Sequence, residues 1–159
     1  MQFDAASLAT IGGVLALVGG LIGSSIGIGI AGSAGAATLS EEPGQFRNVL
    51  LLASLPMTQT FYGLIVLILI VTGVVSKIQT DALGISAGLQ VLGAGLITAG
   101  AELFSAVYQG KVCASGISLL PKTRGRILVN AMMLAVFVEL LGVLGLVFAI
   151  MSLSMLNLM

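Results

Sequence analysis

A chain of 159 residues in which 58% are apolar and only 8% are charged has too little polar surface to sit in water as a globule of its size. Its formal net charge is zero with no basic arm, which leaves no footprint for nucleic acid. Histidine is absent and Cys113 stands alone, so the usual zinc and iron–sulfur ligand sets and an intramolecular disulfide are excluded. Cys113 reads as a small packing residue.

The first uncharged run, Ala5–Ser40, is far longer than the apolar region of a secretory signal and has no basic residues ahead of it, so it reads as mature structure. It carries small side chains at Gly19, Gly23, Gly27, Ala31 and Gly35, a four-residue ladder of the kind that lets helix backbones approach closely. Gly27 to Gly32 also fits G-x-G-x-x-G, but inside an apolar helix and after no strand it is packing and not a nucleotide loop.

The second run, Asn48–Ser76, places Leu55, Thr58, Gln59 and Tyr62 at i, i+3, i+4 and i+7, one helical face rich in side-chain oxygen. Pro56 among them removes the helical hydrogen bond from the Leu52 carbonyl, which either presents backbone oxygen to a ligand or makes a packing kink. The third region opens with the uncharged run Ala82–Ala101, meets Glu102 and Gln109, and repeats the small-residue ladder at Ala106, Gly110, Ala114 and Ser118. The fourth consists of Ile127–Val138 and Leu140–Met159 on either side of Glu139. All four regions exceed the roughly 20 apolar residues that cross a bilayer core. Without the polar alternation of barrel strands, they are predicted as helices.

The two halves repeat. Ile11, Gly12, Leu15, Gly19 and Ser24 match Leu92, Gly93, Leu96, Gly100 and Ser105 at an offset of 81, which becomes 80 after the hairpin loops and sets Gln59 opposite Glu139. The predicted fold is thus an all-α membrane protein of four transmembrane helices in two duplicated hairpins, residues 1–80 and 81–159, related as parallel repeats. The ladders suggest that the first and third helices form an inner layer and the second and fourth an outer one, with an ordinary four-helix bundle as the alternative. Arg47, Lys111, Lys122, Arg124 and Arg126 lie toward the hairpin loops and only Lys77 toward the other side, so the loops are expected in the cytoplasm and the termini outside.

Glu139, with twelve uncharged residues before it and twenty after, is the candidate functional residue, because an ionisable group deep in a span is costly. Counted from the loops at about 1.5 Å per residue, Gln59, Gln109 and Glu139 lie at similar depths of roughly 16–21 Å. Amide, hydroxyl and carbonyl oxygens around one carboxylate suit a hard monovalent cation better than a bare proton. Na⁺ is the natural candidate, and no organic cofactor is implied.

These residues look familiar. Leu55, Pro56, Thr58, Gln59, Tyr62 and Gly63, the segment Gln109 to Val112, and a single Glu139 in the fourth span resemble the proteolipid K subunit of bacterial V-type ATPases, particularly the sodium-translocating kind. The resemblance implies a non-catalytic subunit of a rotor ring in the bacterial plasma membrane. Its expected partners are identical subunits, a membrane stator subunit, the central stalk of the ATP-hydrolysing head and the lipid bilayer. It implies that Na⁺ is held by Glu139, Gln59, Gln109, Thr58 and the Leu55 carbonyl, with Tyr62 locking the glutamate. One ion per chain then favours pumping over synthesis, because fewer ions cross per turn. Glu102 departs from the pattern, which has a small residue there; it is expected not to bind the ion and to be protonated or hydrogen-bonded in the inner layer. The competing readings are a proton-carrying ring, a small four-helix secondary transporter and a passive proteolipid.

Overall fold

The computed structural model describes residues 4–159, and nearly all of them are helical. Four helices are long and apolar enough to cross a membrane: α1 (Ala5–Glu41), α2 (Pro43–Thr80), α3 (Ile85–Ser118) and α4 (Leu128–Met155). The protein is a multi-pass membrane protein of two helical hairpins. Asp4 starts α1 as its N-cap, its carboxylate accepting the Ser7 backbone N–H at 2.8 Å.

The central seam joins α1 to α3, while α2 lies on α1 and α4 on α3. Its closeness follows from missing side chains. A Cβ on Gly23 would stand 2.7 Å from the Leu103 Cα, Gly19 faces the Ala99 backbone, and Gly27 meets Gly110 backbone to backbone. The ladder of α1 holds as predicted but serves two partners, since Gly35, at its far end, packs on Val49 of α2. A four-residue step advances about 40° around a helix of 3.6 residues per turn, so a long ladder winds from one neighbour to the next. The ladder predicted for α3 is only half realised for the same reason. Ala106 and Gly110 lie in the seam, but Ala114 is half-buried and Ser118 exposed, and Cys113, Gly116 and Ile117 take the buried positions. Cys113 packs with Ala31, Leu52, Ile117 and Ala135 as a core residue.

Helix α2 is not uniform. A 3₁₀ turn at Leu55–Met57 accommodates Pro56, and a π-helical turn occupies Ile70–Val74. Within the 3₁₀ turn the Thr58 backbone N–H donates to the Leu55 carbonyl, and the α-helical pattern resumes from Thr58.

Among the described residues two apolar clusters form the core, one toward the termini (Ala9, Val66, Val91, Leu153) and one toward the loops (Leu52, Ile117, Leu120, Ala135). Between them lies a band of buried polar side chains, Ser24, Gln59, Thr98, Glu102, Ser105 and Gln109. At the loop end, Gly125 at φ +80° sits beside the Asn48 and Gln45 side chains, where a Cβ would stand 3.0 Å from Asn48 Nδ2, so both conformation and space select glycine.

Candidate ion-binding site

The polar band is densest where α2, α3 and α4 meet, and its bonds run in one direction. Thr58 Oγ1 donates to Gln59 Oε1 at 3.2 Å and also reaches the Leu55 carbonyl at 3.2 Å. Gln59 Nε2 donates to Gln109 Oε1 at 3.0 Å. Gln109 Nε2 lies 3.3 Å from Glu139 Oε2, and the Tyr62 hydroxyl donates to Glu139 Oε1 at 2.9 Å. All six residues singled out in the sequence thus fall in one cluster, with Glu139 the acceptor at the end of two donor lines.

Local structure explains the convergence. Pro56 and its 3₁₀ turn bring the Leu55 carbonyl onto the same side as Thr58, and Tyr62 follows one turn later on the continuing helix. Gly20 of α1 and Gly63 of α2 allow those helices to touch at backbone distance, a Cβ on either being 2.5 Å from a facing carbonyl oxygen. Gln59 and Gln109 are both fully buried, so their amides must be satisfied within the protein. Glu139 is only half-buried, toward the outer side of the helices.

Ser105 also belongs to the cluster, although its sequence context assigned it no role there. It accepts from Gln59 Nε2 at 3.1 Å and donates to the Val138 carbonyl at 2.9 Å, which ties α2 and α4 together through α3. Serines in spanning helices ordinarily bond to their own carbonyl four residues back, as Ser25, Ser33 and Ser115 do. The available signals were its position four residues before Gln109 and its repeat partner Ser24, which accepts from Thr60 at 2.9 Å.

Glu102 is expected from the sequence to be buried and either protonated or hydrogen-bonded, and the structure bears on the second alternative. It is fully buried, but neither carboxyl oxygen has a hydrogen-bond partner among the described residues, so the hydrogen-bonded arrangement is not realised. Its carboxyl group faces α4, at Gly142 and Gly145.

The family model for the C-type subunit of ATP synthase matches the chain twice, at residues 11–70 and 92–152, which is the internal duplication seen from outside. The chain is 37% identical over 126 residues to the V-type sodium ATPase subunit K of Enterococcus hirae, covering 79% of this chain and 77% of that protein. It is 35% identical over 152 residues to the A-type ATP synthase subunit K of Methanocaldococcus jannaschii, covering 94% of this chain and 63% of the relative. The chain belongs to the family of ATP synthase C-type subunits, as a K-type rotor-ring proteolipid of the V/A-type ATPases.

Proposed function

We propose that each chain of the ring carries Na⁺ on Glu139 during rotary transport, with Gln59, Gln109, Thr58 and the Leu55 carbonyl as further ligands and Tyr62 as the lock on the carboxylate. The observation that carries this reading is the meeting of one mid-span carboxylate with two buried amides, a hydroxyl and a backbone carbonyl. One negative charge matches one monovalent cation, and the neutral oxygens can replace part of its hydration shell. For the amides to serve as ligands, their oxygens turn toward the ion, and the Gln109 N–H can keep one carboxylate oxygen while the other binds the ion. The relative from Enterococcus hirae, a sodium ATPase subunit by name, supports the same ion.

In this reading the ring lies in a bacterial plasma membrane with the loops Lys122–Arg126 and Glu41–Arg47 in the cytoplasm, where the basic bias puts them, and the termini outside. Its partners are further copies of the chain, a membrane stator subunit and the central stalk of the ATPase. The chain's own part in the machine is carriage, and the hydrolytic chemistry belongs to the soluble head. Membership of the rotor-ring family sets aside the four-helix secondary transporter and the passive proteolipid.

Sodium and proton are separated by competition for the one carboxylate. The protonated form reacts with hydrophobic carbodiimides, and bound Na⁺ holds the group ionised and shields it. Labelling of Glu139 is expected to fall as Na⁺ rises at fixed pH and ionic strength, with K⁺ much less protective and more Na⁺ required as pH is lowered. Labelling that follows pH but ignores Na⁺ from millimolar concentrations upward identifies a proton ring instead.

Tyr62→Phe tests the lock. Hydrogen bonds to charged groups contribute about 1.5–3 kcal/mol, so loss of the hydroxyl is expected to weaken Na⁺ protection by roughly 10- to 100-fold while the ring still assembles. Unchanged protection shows that Tyr62 only fills space.

A further inference from the structure

Glu102 takes no part in the bonds around Glu139, yet it lies on the same buried polar face of α3 as Gln109. On α3, Thr98, Glu102, Ser105 and Gln109 follow the i, i+4, i+7, i+11 spacing of one helical face, and all four are buried. At about 1.5 Å per residue this polar stripe continues for roughly 16 Å from Gln109 toward the terminal ends of the helices. Thr, Ser and Gln are ordinary interhelical residues on a face that packs against another spanning helix, whereas a carboxyl group is not.

The facing helix is shaped to receive the carboxyl group. A Cβ on Gly142 would stand 2.8 Å from Glu102 Oε2 and 3.1 Å from Ser105 Oγ, and one on Gly145 would stand 3.3 Å from Glu102 Oε1. Any larger residue at Gly142 would displace the acid. Thr98 bonds to its own helix, at the Ala94 carbonyl, and leaves Glu102 unassisted. Of the six basic side chains, Arg47, Lys111, Lys122, Arg124 and Arg126 are exposed and Lys77 lies half-buried near the end of α2, so none is buried at Glu102.

A fully buried carboxyl group with both oxygens unpartnered is an arrangement that protein interiors avoid unless something neutralises and binds it. A proton would remove the charge but leave the carbonyl oxygen unpartnered, whereas a cation engages both oxygens. Ser105 Oγ donates once and accepts once, so one lone pair remains for a ligand.

We propose that Glu102 and Ser105 form a second monovalent-cation site, about one to two helical turns from Glu139 along the same buried polar band, with water completing the coordination shell. The site replaces the expectation that Glu102 is no ligand. It gives the duplicated chain two carboxylates and raises its capacity from one ion to two. The inference rests on the sodium reading of Glu139 only for the choice of Na⁺ as probe.

The test is the number of ²²Na⁺ ions bound per chain at saturation in purified, detergent-solubilised rings of the wild type, Glu102→Gln and Glu139→Gln. Two ions are expected in the wild type and one in each variant. One ion in the wild type, lost in Glu139→Gln and kept in Glu102→Gln, overturns the second site and leaves the first intact. One ion that is lost only in Glu102→Gln supports the second site and overturns the assignment of Glu139. Absence of bound Na⁺ from the wild type overturns both. Should Glu102→Gln fail to assemble, the Glu139→Gln ring decides, because one remaining ion supports the proposal and none overturns it.

Discussion

A ring made wholly of Glu139→Gln chains is expected to assemble and to lose ion-coupled ATP hydrolysis entirely. The amide preserves the shape of the side chain and can still accept from the Tyr62 hydroxyl, which donates to Glu139 Oε1 at 2.9 Å. It cannot neutralise a cation, and an unneutralised cation in a span costs several kcal/mol, enough to empty the site at working concentrations. Among the described residues no other charged group belongs to the Glu139 hydrogen-bond cluster, so nothing within it replaces the lost charge. The measurement is Na⁺-stimulated ATPase activity and ²²Na⁺ uptake of the reconstituted complex, with ring assembly followed on native gels. Normal uptake by a fully mutant ring removes Glu139 from the transport pathway.

Gly110→Leu is expected to do comparable damage by a different route. Gly110 meets the backbone of Gly27 in the α1–α3 seam, and a side chain there presses on main chain that has no rotamer to adjust. Overpacking of a core costs about 1–3 kcal/mol where side chains can yield, and backbone contact puts this site at or above the upper end. The expected result is loss of assembled ring, and of the ion site with it, since Gln109 is the preceding residue. Gly44→Ala is the contrast, because nothing lies within 4 Å of a Cβ at that position. Comparable ring yields from the two variants show that the seam is looser than its glycines imply.

The four spans were legible because exclusion from hydrocarbon is a property of long stretches: charge is absent from Ala5–Ser40 and Asn48–Ser76 whatever packs against them. The cluster around Glu139 was legible for a related reason, since Thr58, Gln59 and Tyr62 are costly in a span unless they serve a common purpose, and helical spacing puts them on one face. Direction was not legible. Spacing placed Gln109 near Glu139 but could not show that its amide lies between the carboxylate and Gln59, because that depends on side-chain rotation. Nor could spacing tell Ser105, which bonds across to Val138, from Ser115, which bonds back to Lys111. The turn of the small-residue ladder away from α3 toward Val49 depends on how two helices cross, which a one-dimensional repeat does not record.

The donor line from Thr58 through Gln59 and Gln109 to Glu139 also governs time. Under the proposed Na⁺ carriage, an ion entering the cluster draws the Gln59 and Gln109 oxygens toward itself, so the bonds those oxygens now accept from Thr58 and Gln59 are rearranged on loading. Because Gln109 Oε1 accepts from Gln59 Nε2 and both side chains are fully buried, a turn of one amide disturbs the other. Amides coupled in this way act as a latch, whose opening rate is a property separate from the strength of ion binding. Such a ring can keep its cargo through a revolution even when equilibrium affinity is modest. Under the proposed carriage, discharge is then expected to be quick only where a neighbouring surface offers the amides replacement hydrogen bonds, which would confine exchange to one position on the circle by residence time and not by affinity alone.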